Sequence, residues 1–246
     1  MSLLSNPPTR FTPSRALLKV SGAGFGGDTP LDAESIDYIA DQVESAVELG
    51  IELALVVGGG NVLRGADQDL LSRTAGDFAG MVATIVNGIV LKDSLEDRGL
   101  AVQLQSALPV DGIAKPVDSD QADERLGDSG IVIFAGGTGN PYFTTDSAAA
   151  LRAGEIGADL ILKGTDVDGV YSGDPAGGGE AEFITELTYE RMMEEELGVI
   201  DLTAARICRE TGIPMVVYDL FAKGNTAKIL RGKEIGTFVY PTPGQG

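Results

Sequence analysis

The chain has 246 residues, 43% of them hydrophobic, which is enough for one large α/β domain with a substantial core. Its formal net charge of −19 argues against nucleic acid and anionic membrane as partners, since both need a basic footprint. The complete lack of histidine removes Ser-His-Asp and Cys-His catalysis, His-ligated zinc and the commonest general base, so any chemistry must run on Lys, Arg, Asp, Thr and backbone dipoles.

The single cysteine, Cys208, allows no intrachain disulfide and, in the apolar-patterned segment Ala204 to Cys208, reads as a buried inert thiol. No uninterrupted apolar run approaches the roughly 20 residues of a membrane span, and Met1 to Pro13 lacks the apolar core of a signal peptide. A cytoplasmic protein is expected. Residues 1–13, rich in Ser, Pro and Thr, read as a disordered arm before a single domain over 14–240, and 241–246 as a tail.

Arg15 to Gly22 reads as a strand running into Gly22-Ala23-Gly24-Phe25-Gly26-Gly27, a literal G-x-G-x-x-G. The dinucleotide reading fails on context. That fingerprint opens its helix inside the glycines and places an acidic residue at the end of the next strand. Here Asp28-Thr29-Pro30 delays the helix to about Asp32, and the next strand ends in Gly58-Gly59-Gly60-Asn61. Lys19, among apolar neighbours just before the first glycine loop, is either an anion ligand or a snorkelling lysine.

Asp32 to Leu49 carries helical periodicity, and Leu53 to Val57 is a second strand. Three consecutive glycines at 58–60 imply close approach of the backbone to something, and Arg64 just beyond is either a ligand of the same anion or a surface arginine. Asp77 to Arg98 reads as a long helix with Asp77 as its N-cap. A strand over Leu100 to Leu104, a polar helix over Ser119 to Leu126 and a buried strand over Ile131 to Ala135 follow.

That last strand feeds Gly136 to Asp146, where glycines precede a helix start near Ser147, an arrangement suited to a phosphate or to a plain helix cap. Asp159 to Lys163 is a further strand, leading to an Asp-Gly-rich hairpin whose tip is Gly177-Gly178-Gly179. Helices near Tyr189 to Glu196, Asp201 to Thr211 and Asn225 to Leu230, and strands at Pro214 to Tyr218 and Thr237 to Val239, complete the chain. The alternation predicts a three-layer αβα sandwich with a mainly parallel sheet.

Taken together, Lys19-Val20-Ser21-Gly22, Gly58-Gly59-Gly60-Asn61 with Arg64, the run Thr138-Gly139-Asn140-Pro141-Tyr142-Phe143-Thr144-Thr145-Asp146, Lys163 through Asp174, and Asp201-Leu202-Thr203-Ala204 resemble the bacterial-type uridylate (UMP) kinases of the amino-acid kinase fold. The resemblance spans about Leu17 to Val239. It implies ATP with Mg²⁺ as donor and UMP as acceptor, the domain dividing into an acceptor-binding N-terminal lobe and an NTP-binding C-terminal lobe.

Carried over by position, the pattern puts the NTP phosphates on Lys19, Val20, Ser21, Gly22, Gly60 and Arg64, and its nucleoside end on Thr165, Tyr171 and Asp174. UMP falls to Gly59, Asp77 and Thr138 to Thr145. Lys19 and Arg64 are assigned the transition-state charge, and Asp146 the ordering of the phosphate-binding groups. Asp201 is left open between pocket organisation and regulation. The resemblance further implies a homohexamer, UTP as inhibitor and GTP as activator. The chain departs from the family's Ser-Gly-Glu-Ala at Ser21-Gly22-Ala23-Gly24, from Lys-Ala-Thr-Lys at Lys163-Gly164-Thr165-Asp166 and from Lys-Pro-Gly-Asn at Ala222-Lys223-Gly224-Asn225, and the first two leave donor affinity and regulation open. Two alternatives remain: an amino-acid kinase acting on a carboxylate or carbamate, and a non-catalytic nucleotide-binding assembly.

Overall fold

The computed structural model describes residues 12–63, 70–173 and 181–242. Strands β1 (Arg15–Val20), β2 (Glu52–Val57), β3 (Val102–Ser106), β4 (Lys115–Pro116), β5 (Ile131–Ala135) and β6 (Leu160–Thr165) are followed by a small antiparallel pair, β7 (Val170–Tyr171) and β8 (Phe183–Ile184). Then come β9 (Glu186–Thr188), β10 (Met215–Asp219) and β11 (Thr237–Tyr240). Nine of these form one sheet in the order β4-β3-β5-β2-β1-β6-β10-β11-β9, and only the β10–β11 pairing is antiparallel. The expected mainly parallel sheet is therefore present.

Helices α1 (Ala33–Val47), α2 (Arg73–Asp97), α3 (Ser119–Gly127), α4 (Thr145–Glu155), α5 (Tyr189–Glu194), α6 (Leu202–Thr211) and α7 (Asn225–Leu230) cover its two faces. Side-chain alternation along the strands builds one core on each face. Leu18, Leu55, Ile133 and Leu162 pack with Ile39, Leu91 and Ile229 of α1, α2 and α7. Leu17, Val56, Val132 and Ile161 pack with Leu126, Ala149 and Ala205 of α3, α4 and α6. Strands buried on both faces read as the continuous apolar runs seen in the sequence.

β1 is the centre of the fold, with β2 on one side and β6 on the other. Strand order reverses there, which opens a crevice at the carboxyl ends of the strands. Three expectations need correction. The long helix starts at Arg73, not Asp77, because the Ser72 side chain accepts the Ala75 N–H and caps it. The third strand is shifted to Val102–Ser106, and a 3-10 turn, Gly22–Phe25, stands where an open glycine loop was expected.

Helix α2 is 25 residues long and apolar enough to meet the length-and-composition description of a membrane span, against the sequence expectation. It nevertheless packs on the sheet, burying Met81, Ile85, Leu91 and Leu95. Cys208 is buried, and burial pushes its thiol up to about 12, as an inert thiol requires. The Gly177–Gly179 hairpin tip and all but Thr12 and Pro13 of the N-terminal arm lie outside the described residues.

Candidate active site

Lys19 and Lys163 are register partners on adjacent strands, so their side chains leave the sheet side by side. The period of two puts Lys19 on the face of Leu17 and Lys163 on that of Ile161, the face covered by α4 and α6. Both lysines are buried, at 8% and 7% exposure. Two ammonium groups cannot stay charged there without a counter-ion.

Asp146, in the first turn of α4, supplies it. Lys19 Nζ stands 3.0 Å from Asp146 Oδ1, and Lys163 Nζ donates to Asp146 Oδ2. Burial alone pushes the Asp146 carboxyl up, but the Lys19 and Lys163 charges prevail and hold it below the ordinary carboxylate range. Burial also draws the Lys163 ammonium below the ordinary lysine value, a pull that Asp146 offsets only in part. The cluster keeps one net positive charge, two ammonium groups against one carboxylate, at the mouth of the crevice.

Asp146 is aimed by the helix that carries it. Thr144 caps α4, its Oγ1 accepting the N–H groups of Asp146 at 3.0 Å and Ser147 at 3.3 Å. The same hydroxyl donates to Asp201, whose carboxylate also accepts Ser147 Oγ at 2.9 Å and caps α6 through the Ala204 N–H at 2.9 Å. Asp201 therefore ties the N-termini of α4 and α6 together.

The glycine runs have a reason other than the one their composition suggests. A Cβ on Gly22 would lie 2.2 Å from Gly60 N, and one on Gly58 would lie 2.5 Å from Gly22 N. A Cβ on Gly59 would meet Gly80 O of α2 at 2.7 Å. These three glycines let two backbone loops and a helix touch each other. At Gly60 the Cβ direction is open. Among the described residues, Gly60 N–H donates to no one.

In the adjacent loop after β5, Gly136, Gly137 and Gly139 have positive φ (74°, 57° and 78°), and Gly136 and Gly139 pack on the backbone at Ala107. Thr138 and Asn140 hydrogen-bond to each other within this loop. Pro141 leads to Tyr142, which also has positive φ, 72°, and Asp77 holds it there by accepting its N–H at 2.8 Å. Arg73 donates to the same carboxylate and lies over the Tyr142 ring. Burial raises the Asp77 carboxyl, but these donors outweigh it and leave the group below its ordinary value. Phe143 is exposed, and Thr145 begins α4.

Beyond the lysines lies a cavity of about 670 Å³, lined by Lys19, Ser21, Lys163, Thr165, Asp166 and Tyr171 among others. Thr165 Oγ1 turns back to Val167, and Tyr171 donates to Asp168. Val20 is a buried strand residue that leads to Ser21. Arg64 and Asp174 lie outside the described residues. Among the described residues no group of three Asp, Glu, His or Cys side chains stands ready to hold a metal ion.

Residues 14–219 match the Amino acid kinase family model. A uridylate kinase of Methylococcus capsulatus is 43% identical over 229 residues, covering 92% of this chain and 96% of that one. The chain belongs to the amino acid kinase family, among its uridylate kinases. The UMP kinase of Bacillus anthracis superposes with a TM-score of 0.91 at 30% identity, covering 94% of this chain and 97% of that one. The UMP kinase of Ureaplasma parvum does so with 0.86 at 31% identity, covering 92% and 98%.

For this uridylate kinase family member, the sequence reading passed over four residues that shape the site. Lys163 appeared only as part of a motif, although its strand carries a lysine directly after an apolar run as β1 does, and Ser147 only as a helix start. Thr84 and Asn87 of α2, polar residues inside an apolar helix, were not singled out. Their polarity on a buried face was the available signal.

Proposed function

We propose that the chain transfers the γ-phosphoryl group of Mg-ATP to UMP, giving UDP and ADP, as a cytoplasmic step of pyrimidine nucleotide biosynthesis. The observation that carries this reading is the Lys19–Asp146–Lys163 cluster at the carboxyl ends of β1 and β6, between the two glycine loops and the 670 Å³ cavity. The buried thiol of Cys208, with no second cysteine, suits a reducing compartment.

The attacking group is a phosphate oxygen of UMP, whose second ionisation near pH 6 leaves it a dianion at neutral pH. Its bond to the γ-phosphorus forms as the bond from that phosphorus to the β–γ bridging oxygen breaks, and ADP leaves without needing a proton. No general base is required, which suits a chain without histidine. Catalysis then rests on in-line alignment and positive charge. Lys19, Lys163 and Arg64 supply the charge, and Asp146 serves as counter-ion to the two lysines rather than as a base.

The donor lies on the C-terminal half, with its phosphates near Lys19, Ser21, Gly22 and Gly60 and its nucleoside in the cavity beside Thr165, Tyr171 and Asp174. UMP lies on the N-terminal half, over Gly59, Asp77 and Thr138 to Thr145. The assembly is a homohexamer of dimers, a reading supported by the apolar Phe78, Val82 and Ile89 on the outer face of α2, each at least 40% exposed. UTP inhibits by entering the UMP pocket. GTP activation has the least support, since Ala23 to Gly27 departs from the family's loop.

Purified protein, γ-labelled ATP and a panel of UMP, CMP, aspartate, acetylglutamate and carbamate test the reading. Label appearing in UDP well ahead of every other product is the expected result. Label moving instead to a carboxylate or carbamate, or nucleotide binding with no transfer at all, would reject it.

A further inference from the structure

Helix α2 is polar on the part of its buried face that meets the site. Asn87 is completely buried. Its Nδ2 donates to Gly58 O at 2.6 Å and to Asn61 Oδ1 at 2.7 Å, and its Oδ1 accepts from Asn61 Nδ2 at 3.0 Å. Asn61, only 5% exposed, also donates to Pro30 O at 2.7 Å. One turn nearer the helix start, Thr84 Oγ1 accepts the Gly136 N–H at 2.7 Å and donates to Met81 O at 2.7 Å. Two side chains three residues apart on one helix thus fasten the two neighbouring loops that follow the paired strands β2 and β5.

A reciprocal amide pair in a dry interior is a rigid clamp, because every broken bond leaves a buried polar group unsatisfied. It is also directional, since Asn87 reaches the carbonyl of Gly58 and the side chain of Asn61 and so fixes the peptides between them. Those peptides include Gly60, the one glycine of the run whose Cβ direction is open and whose N–H has no hydrogen-bond partner among the described residues. Packing alone needs no such arrangement. An aliphatic side chain would fill the same volume more cheaply in a helix whose neighbours are Ile85 and Leu91.

We propose that Asn87 is a positioning residue for phosphoryl transfer: through Asn61 and Gly58 it holds the Gly60 N–H in line with the transferring phosphate, while Thr84 holds the neighbouring loop after β5 from the same helix. The proposal rests on the UMP kinase reading above. Its energetic consequence falls on turnover, because a donor displaced by a fraction of an ångström weakens contacts that are strongest in the transition state.

The test compares N87L, N61L and the double variant with L95A, a core truncation on the same helix far from the loops. Four readouts are taken: melting temperature, kcat per nucleotide-binding site, KM for UMP, and hydrogen exchange of amides 58–63 in the unliganded protein. N87L is expected to lower kcat about 10- to 100-fold with KM for UMP changed less than about threefold, and to speed exchange in the loop. L95A lowers the melting temperature with kcat retained and loop exchange unchanged. The double variant costs little more than N87L alone, because the pair acts as a unit. Should N87L fail to fold, N61L carries the same expectations. Retention of kcat within about threefold in N87L and N61L, or effects that simply multiply in the double variant, overturns the proposal. Absence of UDP from the unaltered protein rejects the functional reading instead, and loop exchange then decides the clamp alone: faster in both Asn variants and unchanged in L95A supports it, while unchanged in all three overturns it.

Discussion

Asp146 stands between two buried ammonium groups, and its replacement is the most damaging single change expected at the site. Asp146→Asn leaves both lysines without their counter-ion, a loss of about 3–5 kcal/mol for a buried pair broken from one side. The pH dependence has a definite sign. Because the folded carboxyl is held below its ordinary value, its stabilisation is fully present above that value and is lost as pH falls through the folded one. Denaturant unfolding of the parent and the Asn variant should therefore differ most at neutral pH and converge in acid; a gap that stays constant down to pH 2 would contradict the pairing. Lys163 gives the alkaline counterpart. Burial lowers its ammonium, so kcat should fall on the alkaline side below the ordinary lysine value, and Lys163→Arg, which keeps its charge, should lack that limb. An unchanged alkaline limb in that variant would assign it to another group.

Among elements, the Gly136–Asp146 connection is held by contacts that its sequence only partly announces. A helix cap at the end of this run was legible, because cap chemistry is local, although the helix opens at Thr145 behind Thr144 rather than near Ser147. The tie from Asp77 to the Tyr142 N–H was not, since it joins residues 65 apart in sequence. The start of α2 was misplaced as well: it lies at Arg73, where Ser72 caps it and Arg73 pairs with Asp77 one turn on. The glycine runs were legible as sites of close approach, but their partners are one another and α2, which no single stretch reveals. Asp77→Ala should free Tyr142 from its unfavourable φ and loosen the loop, raising KM for UMP about tenfold or more, the equivalent of about 1.4 kcal/mol, with kcat at saturation changed less than threefold. A defect confined to kcat would remove Asp77 from the acceptor side.

For the whole molecule, the alternation of strand and helix was enough to reach a three-layer fold, because strands buried on both faces and amphipathic helices leave few other arrangements. The order of strands was not legible, and with it the side-by-side placement of Lys19 and Lys163, which depends on β1 pairing with a strand about 140 residues later. Exposure of Phe78, Val82 and Ile89 along α2 predicts burial against a second copy. Sedimentation equilibrium at micromolar concentration should give a hexamer, and a monomer would reject the assembly. The central claim, that a buried lysine pair around one aspartate drives transfer to UMP without a general base, is tested most directly by Lys19→Ala at saturating Mg-ATP and UMP, with UDP and ADP both quantified. The account predicts equimolar UDP and ADP from the parent protein and a kcat lower by about 100-fold or more in the variant, with KM for UMP within about threefold. Turnover retained within threefold, or a loss confined to KM for UMP, would contradict it.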